Sequence, residues 1–166
     1  MTVTESVSVY SEPGYGTTFA IYLPCAETED APAERVEPKF ARGSETVLLV
    51  EDEPSLRKLA HSILKANGYT VLEASNPQEA LACCSSHQGS IDLMVTDIVM
   101  PGGDGEQLAA QMCQRRRGLR VIFMSGYSEH SILQRILAQP GAAFLQKPFT
   151  PTQLSQKIRE VLDSPR

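Results

Sequence analysis

The feature that most restricts the fold is an alternation, repeated five times between residues 45 and 163, of a short apolar run with a stretch of helical periodicity. Thr46-Val47-Leu48-Leu49-Val50 is a nearly continuous apolar run, as a strand buried on both faces of a parallel sheet must be. Pro54 suits the first position of a helix, and Leu56, Leu59, Ala60, Ile63 and Leu64 mark one face of it before Asn67-Gly68 stops it. Tyr69-Thr70-Val71-Leu72 reads as a second strand. Asn76-Pro77-Gln78-Glu79 brings a cap, a proline and a reach-back glutamate to the next helix. Further strands are expected at Ile91–Asp97, Leu119–Met124 and Ala142–Leu145. Helices are expected from near Asp104, from about Ser128 to Gln139, and after Thr150-Pro151, the last with Leu154, Ile158, Val161 and Leu162 along it. Five such units in about 120 residues predict an α/β fold with a parallel sheet covered on both faces. Right-handed crossovers make it doubly wound, and such sheets carry their sites at the carboxyl ends of the strands.

The polar residues fall at those ends. Glu51, Asp52 and Glu53 follow the first strand, Asp97 ends the third, Ser125 ends the fourth and Lys147 ends the fifth. One sheet edge would therefore gather carboxylates, a hydroxyl and an ammonium. Clustered carboxylates repel one another, which suits a divalent cation, and Mg²⁺ takes hard oxygen ligands. Such an ion neutralises charge on a transferring phosphoryl group. Asp97, on the central strand, is the best-placed nucleophile, because a carboxylate can attack phosphorus and form an acyl phosphate. Lys147 offers a point charge to the phosphoryl oxygens, and Ser125 a hydroxyl. Pro148 fixes the backbone direction after Lys147.

Four motifs now resemble one family, the response-regulator receivers of two-component signalling. Val-Leu-Leu-Val-Glu-Asp-Glu-Pro at 47–54 is similar to its opening, and Asp-Ile-Val-Met-Pro-Gly-Gly-Asp-Gly at 97–105 to its phosphoacceptor loop. Met-Ser-Gly-Tyr at 124–127 and Lys-Pro-Phe at 147–149 complete the set, in family order. The resemblance implies a flavodoxin-like (βα)5 sandwich with strand order 2-1-3-4-5 over residues 45–166. It implies Asp97 as phosphoacceptor and Mg²⁺ on Glu51, Asp52, Asp97 and the backbone carbonyl of Val99. Ser125 and Phe144 would be the switch pair, and the phosphoryl donor a phosphohistidine on a histidine kinase or a histidine phosphotransfer domain. The family often has Asp-Asp where Glu51-Asp52 stands and commonly Thr where Ser125 stands; both substitutes keep the required oxygen.

Other readings are weaker. An aspartyl-nucleophile phosphatase needs a general acid two residues after the nucleophile, and Val99 has no proton to give. A flavin binder needs a phosphate-cradling loop after the first strand, where Glu51-Asp52-Glu53 would repel one. A non-phosphorylated interaction module is disfavoured because no site residue is missing. Glu53 is read as a complement to the following helix N-terminus, Gly102-Gly103 as a turn and Arg115-Arg116-Arg117 as a solvated helix end. His61, His87 and His130 have no relay or ligand spacing.

The first 44 residues differ in kind. Val7 and Val9, then Phe19, Ile21 and Leu23, alternate with period two around Ser11-Glu12-Pro13-Gly14-Tyr15-Gly16, which predicts a hairpin in need of a sheet to join. Residues 11–24 resemble the last segment of a histidine-kinase ATP-binding domain, so residues 1–24 are expected to be a remnant of one and the chain the tail of a hybrid histidine kinase. Residues 25–44, rich in Glu, Ala and Pro without periodicity, are expected to be a flexible linker. The net charge of -5 argues against a nucleic-acid partner. No apolar stretch approaches the ~18 residues of a membrane span, and the N-terminus lacks the basic-then-apolar layout of a secretory signal. A cytoplasmic location is expected. Cys25, Cys83, Cys84 and Cys113 form no C-x-x-C pair, and Cys83 and Cys84, about 100° apart on a helix, cannot both face the core.

Overall fold

The structure is a computed structural model and describes residues 6–23, 42–126 and 142–165. The chain divides into two compact units. The first is an antiparallel hairpin of β1 (Ser6–Glu12) and β2 (Gly16–Tyr22), with Val9 opposite Phe19 and Val7 opposite Ile21. Gly14 and Gly16 take positive φ at its turn, a conformation that glycine adopts without steric cost. The apolar face is laid bare, with Val7, Val9, Phe19 and Ile21 all more than half exposed.

The second unit contains β3 (Thr46–Val50), α1 (Pro54–Ala66), β4 (Thr70–Ala74), α2 (Pro77–Ser86) and β5 (Leu93–Asp97). A two-residue ladder, β6 (Val99–Met100) with β7 (Gly103–Asp104), leads into α3 (Gly105–Arg115). Then come β8 (Arg120–Ser125), β9 (Ala142–Gln146) and α4 (Pro151–Asp163). The helix expected at 128–139 lies outside the described residues, as do residues 25–41 of the expected linker. The five-stranded sheet runs β4-β3-β5-β8-β9, every neighbouring pair parallel, which is the expected order.

Strand alternation divides the core. Val47, Leu49, Leu93 and Val95 meet Ala60 and Leu64 of α1 and Leu154, Ile158 and Val161 of α4. Leu48, Val50 and Met94 face the other way, onto Ala80 and Cys84 of α2 and Leu108, Ala109 and Met112 of α3. Each buried Leu, Ile or Val of these strands contributes about 1.5–3 kcal/mol. Cys84 is buried and Cys83 only partly so, as their angular separation requires.

The helix starts follow their capping signals. Glu53 accepts from the Ser55 and Leu56 amides at 3.0 and 2.6 Å, which holds its carboxyl below the usual carboxylate range. Asn76 caps α2, but the reach-back of Glu79 lands one residue earlier, on the Ser75 amide and hydroxyl, both at 2.8 Å. Thr150 and Gln153 form a reciprocal capping box at α4.

Four expectations need correction. Leu59 is 48% exposed, because it lies about 100° round the helix from the buried Ala60. The ladder of β5 begins at Leu93 rather than Ile91, since the Asp92 carboxylate takes the Thr46 amide at 2.9 Å in place of a ladder carbonyl. Arg116 is not merely solvated: it donates to the carbonyls of Cys84, His87 and Gly89 and so closes the carboxyl end of α2. Gly43, placed in the linker, donates to the Asn67 carbonyl at 3.0 Å, and a Cβ there would overlap the Tyr69 ring. Gly43 therefore belongs to the second unit.

Candidate functional site

The order β4-β3-β5 means the chain leaves β3 on one side and β5 on the other, so their carboxyl ends flank a crevice. Glu51 and Asp52 hang from the end of β3, and Asp97 is the last residue of β5. Each offers a carboxylate oxygen within 4.8 Å of the others. Lys147, just past β9, reaches into the same crevice, its Nζ 2.7 Å from Glu51 Oε2 and 2.7 Å from Asp97 Oδ2. The sheet edge thus brings together four of the expected site residues.

Their surroundings differ. Glu51 is 1% exposed, and its burial pushes the carboxyl up, a cost that Lys147 only partly offsets. Burial pulls Lys147 the other way, but its hydrogen bonds to Asp97 and Glu51 outweigh that and hold the ammonium above its ordinary value. The two directions have plain causes: burial raises Glu51 by more than Lys147 lowers it, while the one ammonium gains from two carboxylates. Asp97 keeps 17% of its side chain exposed, enough to be reached from outside, and its Oδ1 accepts the Ile98 amide at 2.8 Å. Its position is fixed from behind by Gly105, whose amide donates to the Ile98 carbonyl at 2.8 Å. A Cβ at Gly105 would overlap the Asp97 carbonyl oxygen, so the start of α3 can approach this strand end only as glycine.

The remaining expected residues surround this cluster at varying depth. Ser125 ends β8 and is 1% exposed, and its carbonyl accepts the Lys147 amide at 2.7 Å, which ties the Lys147 backbone to the neighbouring strand. Phe144 lies on β9 in register with Phe123, partly buried against the core on the α2–α3 side. Val99 opens β6, two residues after Asp97, and is 60% exposed. The peptide between Lys147 and Pro148 is cis. Arg57, which no sequence signal distinguishes, donates to the carbonyls of Glu51 and Asp52.

The donor set is all hard oxygen, and three carboxylates with one ammonium leave two negative charges, which one divalent cation cancels. The residues present therefore fit such an ion. Among the described residues no helix is long and apolar enough to cross a membrane.

The chain is similar to known proteins. Residues 47–159 match the response regulator receiver domain. The chain is 38% identical over 162 residues to the sensor kinase CckA of Brucella abortus (strain 2308), a match taking in 92% of this chain and 17% of that protein's length. The crystal structure of the receiver domain from the hybrid histidine kinase CckA superposes with a TM-score of 0.57 at 34% identity, over 71% of this chain and 99% of that one. The chemotaxis response regulator CheY4 of Vibrio cholerae superposes with a TM-score of 0.63 at 26% identity, over 72% of this chain and 100% of that one.

Proposed function

This chain belongs to the response regulator receiver family, and on that premise we propose that Asp97 accepts a phosphoryl group from a phosphohistidine, on a kinase or a phosphotransfer domain, with Mg²⁺ beside it. The observation that carries the reading is the convergence of Glu51, Asp52, Asp97 and Lys147 at one sheet edge. Glu51, Asp52 and Asp97, with the Val99 carbonyl, would hold the ion, which when bound screens the phosphoryl oxygens from the carboxylates. A carboxylate oxygen of Asp97 attacks phosphorus; the new P–O bond forms as the P–N bond breaks, and that electron pair leaves with the imidazole. Lys147 holds Asp97 in place and meets the added charge. Ser125 turns its hydroxyl to the phosphoryl group, and Phe144 follows inward, so the β8–β9 surface shifts between two populations.

Residues 1–24 we take as the end of a kinase ATP-binding domain, and the stretch after them, expected to run to residue 44 but docked on the second unit by Gly43, as the join. The similarity to the sensor kinase supports this, since its 92% coverage exceeds what residues 47–159 alone supply. The parent protein is then a hybrid sensor kinase working in the cytoplasm.

The test is intact mass after incubation with Mg²⁺ and a small acyl phosphate. The wild-type chain is expected to gain one phosphoryl group and Asp97→Asn none. An unmodified wild type, or an undiminished adduct in Asp97→Asn, overturns the assignment.

A further inference from the structure

Two consecutive acidic residues must present their carboxylates to one point, and extended backbone does the opposite, sending successive side chains to opposite faces. Past Val50 the chain accordingly leaves strand geometry and bends through Asp52 and Glu53. A bend of this kind turns carbonyls away from the sheet, and each needs a partner. Arg57 supplies it. Partly buried one turn into α1, its Nη1 donates to the Glu51 carbonyl at 2.6 Å and reaches the Asp52 carbonyl at 3.4 Å. The other anchors leave those two carbonyls alone: the Glu51 amide donates to the Ala74 carbonyl at 3.1 Å, the Glu53 amide to Glu51 Oε1 at 3.3 Å, and the Glu53 carboxylate and carbonyl accept from amides of the first turn of α1.

We propose that Arg57 is a positioning residue for the cation site. By holding both carbonyls it fixes the bend that turns the Glu51 and Asp52 carboxylates towards Asp97. The inference rests on the acidic cluster being a Mg²⁺ site, and it has a distinctive sign. A guanidinium close to a bound cation repels it, so by charge alone its removal tightens Mg²⁺ binding. By positioning, its removal weakens Mg²⁺ binding.

Calorimetric titration of the full chain with Mg²⁺ alone separates the two. Arg57→Met keeps the apolar stem and loses the donors, and its Mg²⁺ affinity is expected to fall about tenfold, as for other partners that orient metal ligands. Arg57→Lys keeps the charge with a single-point donor in place of the planar fork, and an intermediate loss of about threefold is expected. Lys58→Ala, at the exposed neighbouring position, should leave the affinity unchanged. The rate of phosphoryl uptake, read by intact mass, should fall in the same order at low Mg²⁺ and recover when the ion saturates. Unfolding midpoints in EDTA establish that each variant folds; should Arg57→Met not fold, Arg57→Lys carries the test. Unchanged or tighter Mg²⁺ binding in the folded Arg57 variants overturns the proposal, as does an equal loss in Lys58→Ala. A wild-type chain that binds no Mg²⁺ at all overturns the proposed function instead.

Discussion

At the amino edge of the sheet, one guanidinium, Arg159, faces two carboxylates and a hydroxyl; at the carboxyl edge, Lys147 is the one ammonium facing a cluster of three carboxylates among the described residues. Arg159, on α4, pairs with Glu45 at 2.9 Å and Asp163 at 2.7 Å, takes a 3.2 Å contact with the Tyr69 hydroxyl and lies over that ring. The two edges share strands and helices yet differ in electrostatic balance. The amino edge is satisfied and anchors residues 43–46. The carboxyl edge is left with surplus negative charge, which weakens the empty domain and favours an incoming cation. Stability and function are thus allotted to opposite ends of the same strands.

The largest expected effect breaks the carboxyl edge. Lys147→Met leaves Glu51 buried beside Asp97 without its ion-pair partner, and loss of one partner of a buried pair costs about 3 kcal/mol. Urea unfolding at pH 7 in EDTA should show that loss, together with no phosphoryl uptake. The penalty has a definite pH dependence. Glu51 already titrates above its ordinary value because it is buried, and without Lys147 it titrates higher still. A carboxyl raised in the folded state destabilises it at high pH and is relieved as pH falls through its folded value, so the deficit of the variant should shrink in mild acid. A deficit that is constant with pH would mean that Lys147 acts by packing alone.

A smaller effect tests the amino edge. Arg159→Ala should cost about 1.5–2 kcal/mol at pH 7, the lower part of the range for hydrogen bonds to charged groups, because the Asp163 side chain is mostly exposed. Here the sign is reversed. The Arg159 guanidinium beside Glu45 holds its carboxyl below the usual 4.5, and it holds Asp163 below its usual 3.8 as well. A depressed carboxyl contributes stability that is complete above its unfolded pKa and is lost as pH falls through the folded one. Wild type and variant should therefore converge below about pH 4 when unfolding midpoints are compared across that range. Parallel curves down to pH 2.5 would rule out the Glu45 pair as the source.

How far these two edges could be read from the sequence also differs. Glu51, Asp52, Asp97, Ser125 and Lys147 were legible because each stands at the end of an apolar run, and strand direction alone carries them to one edge. The helix starts were legible for a similar local reason: Asn76, Asp104 and Thr150 act within three residues of themselves. Arg159 and Glu45 are 114 residues apart, and Arg116 meets Gly89 across 27, so no local pattern announces either. Arg57 is close in sequence to its partners but bonds only main-chain carbonyls, which carry no residue signature. Leu59 falls outside the buried face because helical spacing defines a stripe and not its centre.

The smallest effect sharpens the comparison most, because its sign is unusual. Most substitutions destabilise, yet Asp52→Asn removes one of three mutually repelling carboxylates from an edge that has one ammonium to offset them. Asp52 is only partly buried, so the relief is modest, about 0.5 kcal/mol in the metal-free chain. Unfolding in EDTA should accordingly place the variant slightly above wild type. Addition of Mg²⁺ should reverse the order, since an ion bound to the folded state stabilises it by mass action and the variant offers a neutral amide oxygen where wild type offers a carboxylate. The crossing of the two stabilities with and without Mg²⁺ is the signature of an edge that gives up stability for cation binding. If Asp52→Asn were instead less stable than wild type in EDTA, the carboxyl edge would resemble the amino edge, and the contrast between them would fail.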